Sequence, residues 1–399
     1  MPVFAGATQQ GEEPIVTQPP QPGPWSGQSP GPEPNSPGYP GGPAQVGAPP
    51  HQPWPTPLPS KRKGAGKWIA GAVALAAVIA VTVVITLHFS GGSGNGSGGS
   101  HDAGSSGASK TADASGIASA NDTGPVGIIT EDPSCAPWIP ITNTLSGAES
   151  NGWDKRDPSV PAAAWTPEIR SQYEAVGKAW RTVADQTVPL AKMTPHRVMR
   201  ELYEQAIAYM RAYADSIATY TPKDDSLALA GGTAANVINA ICAAISSGSA
   251  AARASLVPAL LAPSSVSPVG DLANPQRVFD APDQVCSNLG STLDQLLQSP
   301  EFKSWAATDP NVPVSNWSPE LQSLTAAVAP VMLSTADALE KLAGTSTNPI
   351  VQDFILLGVQ YRRTYVQTFP TYQPSDHWIY SAGQRPPGVL VGACQYAAG

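Results

Sequence analysis

The chain has 399 residues, a formal charge of −8 and a hydrophobic share of 41%, which is length for two or three domains. From residue 90 onward 27 acids stand against 18 bases. That sign argues against a nucleic-acid partner, which wants a basic face, and against docking of this part on anionic lipid.

Residues 1–60 contain 18 prolines and no Lys or Arg, with Phe4, Trp25, Tyr39 and Trp54 as scattered aromatics. So little apolar surface cannot offset the entropy of ordering, and the segment is expected to be a disordered tail with polyproline II character. A solvated tail is the simpler reading, and a ligand for a proline-reading groove is the other. Residues 61–67 carry Lys61, Arg62, Lys63 and Lys67. Residues 68–89, Trp68 to Phe89, carry no charge. As a helix they span about 33 Å, enough for a hydrocarbon core of about 30 Å. Lipid forces the backbone to satisfy itself, so a helix is expected despite Val81, Val83, Val84 and Ile85. The cations precede the span, which puts the tail in the cytoplasm and residues 90–399 outside the plasma membrane. A cleaved signal peptide fits poorly, because a long tail precedes the basic cluster and no small-residue cleavage site ends the run. Residues 90–130 are a flexible Gly/Ser linker in composition.

The exported part is organised by a repeat. Trp153-x3-Asp157-Pro158-x2-Pro161-x3-Trp165-Thr166-Pro167-Glu168 recurs as Trp305-x3-Asp309-Pro310-x2-Pro313-x3-Trp317-Ser318-Pro319-Glu320, displaced by 152 residues. Without a gap, 153–242 and 305–394 share 26 identities in 90 positions. Repeats are sought before a fold is assigned. This one predicts two helical units, 131–245 and 281–399, joined by a connector at 246–280, and packed as one pseudo-two-fold body. The four cysteines all lie in the exported part, and an even number there argues for disulfides. Four cysteines allow three connectivities. The repeat favours Cys135–Cys242 and Cys286–Cys394, each tying the start of a unit to its end. No metal site or cofactor is expected: no Cys-x2-Cys pair exists, and His196 and His377 are the only histidines past the linker.

Both units read as helical. Thr166-Pro167-Glu168 offers a cap, a proline in the first turn and an acid near the positive helix end. Ile169, Tyr173, Val176, Trp180, Val183 and Thr187 then step along one face, with Pro189 as the expected end. Thr194-Pro195 is expected to open the next helix and Pro222 to close it. A third helix is expected over Leu227–Ile245. In the second unit Ser318-Pro319-Glu320 repeats the start, and Pro330 is expected to kink or split that helix. Asn348-Pro349 opens another, ending at Pro370. Arg385-Pro386-Pro387-Gly388 should interrupt the last element. The fold class is therefore all-α: two internally repeated, disulfide-closed helical units, preceded by a disordered tail and one transmembrane helix.

Motifs for chemistry are scarce. Ser375-Asp376-His377 brings hydroxyl, carboxylate and imidazole together in sequence, but adjacency is not a spatial triad, and a helix start explains it better. The sequence has no phosphate loop and no H-E-x-x-H. Tyr209-x-Arg211-x-Tyr213 recurs as Tyr361-x-Arg363-x-Tyr365. These six residues are the candidate binding set, since Tyr and Arg dominate binding surfaces. The competing reading makes the tyrosines core residues. The Trp/Pro blocks are read as caps on a helical bundle.

A Pro/Gly-rich head, a basic stop, an Ala/Val-rich span and an Ala-rich outer domain with few lysines together resemble exported single-pass membrane proteins of mycobacteria and related actinobacteria. The resemblance implies a cell-envelope location. On function, the expectation is a non-catalytic envelope protein whose ectodomain binds a partner protein or cell-wall component. The alternatives are a sensor subunit relaying an outside signal to the tail, and an envelope hydrolase or transferase.

Overall fold

The computed structural model describes residues 116–398. The expected tail, basic segment and membrane span, and the linker up to residue 115, lie outside the described residues. The chain divides into units 1–107 and 108–399, and both repeats belong to the second.

The caps behave as the sequence asks. Thr166 Oγ1 accepts from the Ile169 amide at 3.3 Å and Ser318 Oγ from the Leu321 amide at 3.2 Å, satisfying first-turn donors that have no partner within the helix. Helix α1 is Cys135–Glu149, α2 Pro167–Met193, α3 Arg197–Ser216, α4 Asp225–Ser246 and α5 Ser249–Arg253. The second unit has α6 Val285–Gln298, α7 Pro300–Ala306, α8 Pro319–Ala343, α9 Pro349–Thr368, α10 His377–Gln384 and α11 Pro386–Ala398. Among the described residues every regular element is helical, and extended chain pairs only at the bridge Val126–Leu260.

Several expected boundaries move. Pro189 lies inside α2, and Pro330 lies inside an unsplit α8. Each proline removes one bond to the carbonyl four residues back. Here both prolines, and Asp185 and Ala326 four residues before them, are exposed. Water can serve the freed carbonyls, while the buried face, including Leu190 and Ala191 beyond Pro189, keeps each helix going. Thr194 does not cap α3, whose N-cap is His196. The Thr194 hydroxyl instead donates to Asp132 Oδ2 at 2.5 Å and accepts from the His196 amide at 3.2 Å. Pro222 opens an element rather than closing one: α3 ends at Ser216, and Pro222–Asp224 form a turn with a Thr221/Asp224 capping box leading into α4. The break at Arg385–Pro386 separates α10 from α11, as the sequence implies.

The repeat is visible bond by bond. Trp165 Nε1 donates to the Val160 carbonyl at 2.8 Å, and Trp317 Nε1 to the Val312 carbonyl at 2.9 Å. Tyr220 and Tyr372 donate to the Pro158 and Pro310 carbonyls at 2.9 and 2.7 Å. Arg211 pairs with Asp185, and Arg363 with Asp337, both at 2.6 Å. Disulfides join Cys135 to Cys242 and Cys286 to Cys394. In the first unit Arg211–Asp185 and Arg181–Asp215 progress in opposite directions along α2 and α3, so the pair is antiparallel.

Helices approach closely at one pair of equivalent glycines. A Cβ on Gly231 would sit 3.1 Å from the Met210 nitrogen; one on Gly383, the same position in the second unit, would sit 2.8 Å from the Arg362 nitrogen. These glycines let α4 lie on α3 and α10 on α9. Between the units, α3 meets α9, and α4 meets α10 and α11. Like meets like, the signature of a two-fold contact, and one hydrophobic core runs through both units. Residues Pro222–Ser246 are long and apolar enough to cross a membrane, but 61% of their most apolar stretch is buried inside this core. Burial on many sides, rather than lipid, explains its composition.

Candidate functional site: a charged seam between the repeats

Residues 116–130, expected as the end of the flexible linker, are instead laid over α3 and α9, where Val126 and Ile129 are buried. The Ala118 amide donates to the Lys192 carbonyl at 2.9 Å, and the Ile129 amide to Tyr361 Oη at 3.1 Å. Asp132 takes the Ser134 amide and hydroxyl at 2.8 and 2.5 Å. Arg197, only 1% exposed, fixes the middle. Its Nη1 donates to the carbonyls of Asp122 and Gly124 at 3.0 and 3.2 Å, and its backbone amide to Asp122 Oδ2 at 2.6 Å. A cleft of about 220 Å³ opens here, with Asp122, Val126, Ile129, His196, Arg197 and Leu357 among its walls.

Arg197 also joins the two units. Its Nε and Nη2 grip the Asp353 carboxylate at 2.8 and 2.9 Å, and Asp353 has no exposed surface. A bidentate fork of this kind is the strong form of the ion pair. The repeat explains what lies beside it. Glu201 is the equivalent of Asp353, and Pro349 the equivalent of Arg197. The fork therefore forms on one side of the seam only. Glu201 is left buried with neither carboxylate oxygen hydrogen-bonded, and Arg200 is its nearest cation at 3.8 Å. Arg200 also stands 3.6 Å from Glu204. Burial, then the like charge of Asp353, hold the Glu201 carboxyl well above the usual carboxylate range. Burial pushes Glu204 to about 7 against the pull of Arg200. The seam can thus hold protons at pH values where exposed carboxylates have lost theirs.

The sequence-derived candidates fall elsewhere. Tyr209, Tyr213, Tyr361 and Tyr365 are all core residues, at most 3% exposed. Tyr213 accepts from Trp153 Nε1 at 3.0 Å and packs against Trp180 with ring centroids 4.9 Å apart. Tyr365 contacts Trp305 and Tyr380. Arg211 and Arg363 reach the surface, where they tie α3 to α2 and α9 to α8. The six residues do not form one face, and the rings offer none to a partner. Ser375, Asp376 and His377 do not assemble either: Asp376 is held by Arg253 at 2.8 and 2.9 Å, and His377 contacts Ser381. Among the described residues no cluster of His, Cys, Asp and Glu is placed to hold a metal. Arg197, Arg200, Glu201 and Asp353 carry the seam, and spacing alone does not single them out. The available signal is charge inside helices buried nearly all round.

Residues 117–399 match the family described as mycobacterial ESX-1 associated protein. This chain belongs to that family. It is also similar to an uncharacterised protein of Mycolicibacterium smegmatis (strain MKD8), 46% identical over 371 residues, covering 92% of this chain and 96% of that protein. That coverage exceeds what residues 117–399 alone supply, so the likeness reaches into the N-terminal segment. No solved structure matches the chain.

Proposed function

We propose that this protein is a membrane-anchored, non-catalytic component of the mycobacterial envelope, whose duplicated helical ectodomain binds a protein of the ESX-1 secretion system. The family match carries the reading, because it spans both repeats and the residues laid over α3 and α9. The sequence supports the anchor: four cations ahead of an uncharged stretch from Trp68 to Phe89 fit an uncleaved span with the tail inside. Two disulfides suit a domain outside the cytoplasm, where thiols oxidise. The units 131–245 and 281–399, with the connector at 246–280, act as one body joined at the seam, and the Gly/Ser linker lets that body reach its partner.

Two measurements test this. Crosslinking of the full chain in mycobacterial membranes, followed by its capture, should enrich ESX-1 components; no enrichment over a mock-tagged control defeats the partner assignment. A reporter active only in the cytoplasm, fused after Gly399, should be silent, and a working reporter reverses the orientation.

A further inference from the structure

The second unit carries a polar cluster that the first lacks. Arg362 on α9 is 1% exposed, and its Nε, Nη1 and Nη2 have no hydrogen-bond partner among the described residues. The Gln384 Nε2 donor on α10 is buried and equally unmatched. Gly383, next to Gln384, brings α10 directly against the Arg362 backbone. Tyr380 lies within electrostatic reach of both Arg362 and half-buried Arg385, which in turn bears on His377. The nearby carboxylate, Asp376, is already committed to Arg253 through two bonds.

The repeat shows that the fold does not need this polarity. Arg362, Tyr380, Gln384 and Arg385 stand where the first unit has Met210, Ala228, Gly232 and Thr233. Three positions thus gain a donor and the fourth exchanges a hydroxyl for a guanidinium, in a chain that is acidic overall. Burying a guanidinium without an acceptor is costly, and a planar fork of N–H groups matches an oxyanion in both charge and shape. Burial brings Arg362 down only to about 10, so it keeps its charge at neutral pH. On α10 and at its C-terminal end, His377 and Arg385 are half-buried and Trp378 is exposed, so this helix carries the cluster's outer residues.

We infer that Arg362, Gln384 and Arg385 form a binding site for a small oxyanion, of carboxylate or phosphate type, between α9 and α10. Arg362 accepts the charge on its fork, Gln384 adds a neutral donor and Arg385 supplies a second cation at the mouth. The site is separate from the seam and does not depend on the ESX-1 reading.

The test is titration of the detergent-solubilised full chain with inorganic phosphate and with acetate, read by calorimetry and by melting temperature, with chloride at matched ionic strength as the screening control. The wild type should bind at least one oxyanion and melt higher with it than with chloride. R362M, which installs the first unit's residue, should lose about tenfold or more in affinity, as expected for a missing charge-assisted pair of bonds. R385T should weaken binding without abolishing it, and it carries the test if R362M does not fold. Phosphate binding alone makes the ligand phosphate-like, and acetate binding alone makes it a carboxylate. Equal melting shifts with all three anions, or unchanged affinity in whichever of R362M and R385T folds, overturns the proposal.

Discussion

At the scale of residues, the seam makes two predictions. Arg197 and Asp353 are both almost fully enclosed and bound at two points. Removing one partner leaves the other charge buried alone. Arg197→Met should therefore cost about 3–5 kcal/mol in denaturant unfolding, while the double variant R197M/D353L should recover most of that loss. If the double variant is as unstable as the single, the pair is not the source. The second prediction concerns pH. Glu204 moves from its ordinary 4.5 to about 7, and Glu201 is raised well above 4.5. Between about 4.5 and 7 the folded chain then binds more protons than the unfolded one. Stability is greatest below that window and falls as pH rises through it. Glu149, raised to about 7 by burial, adds to the same slope. Glu204→Gln should remove a share of the pH dependence on the order of 3 kcal/mol, and parallel unfolding curves for both proteins from pH 4.5 to 7 would sink the assignment.

At the scale of elements, sequence equivalence does not mean energetic equivalence. Trp165 and Trp317 make the same hydrogen bond from the same corner. Trp165 is 8% exposed and packs at 4.0 Å on Tyr173, whereas Trp317 is only partly buried, with Tyr372 5.5 Å away. The position equivalent to Tyr173 is Thr325, so the second corner has lost one ring of its stack. Trp165→Ala should cost about 3–5 kcal/mol, as for other buried large aromatics, and Trp317→Ala clearly less; equal losses in thermal unfolding would contradict this. The glycine contacts carry a related expectation. Gly383→Ala would force a Cβ to 2.8 Å from backbone, Gly231→Ala to 3.1 Å. Overpacking of this kind costs roughly 1–3 kcal/mol, with the larger loss expected at Gly383.

At the scale of the whole molecule, the disulfides close chain segments with sequence separations of 107 and 108 residues. A loop of that length restrains the unfolded chain by about 4–5 kcal/mol in the entropy model. Each bridge pins the start of its unit to its closing helix. Replacing Cys135 and Cys242 together by Ser should therefore lower the melting temperature of the whole body, not of one unit, because α4 is packed on both α3 and α11. Two separate calorimetric transitions would show instead that the units unfold independently.

The sequence alone determined much of this. A 152-residue offset, proline-initiated helices and cysteines at each end of a unit are local or one-dimensional features, and they yielded the all-helical class, the third element of each unit and the disulfide pairing. Helix ends at Pro189, Thr194 and Pro222 were less legible, because whether a proline ends a helix depends on which side of it faces water. The seam was not legible at all. α3 is buried on nearly every side, so its polar residues follow no amphipathic period, and the importance of Arg197 depends on Asp353 arriving from 156 residues away. The tyrosine pair had two readings in sequence, core or binding surface, and only packing placed the rings inside. Spacing along a helix states which side chains share a face; which face is covered is decided by what the rest of the chain lays against it.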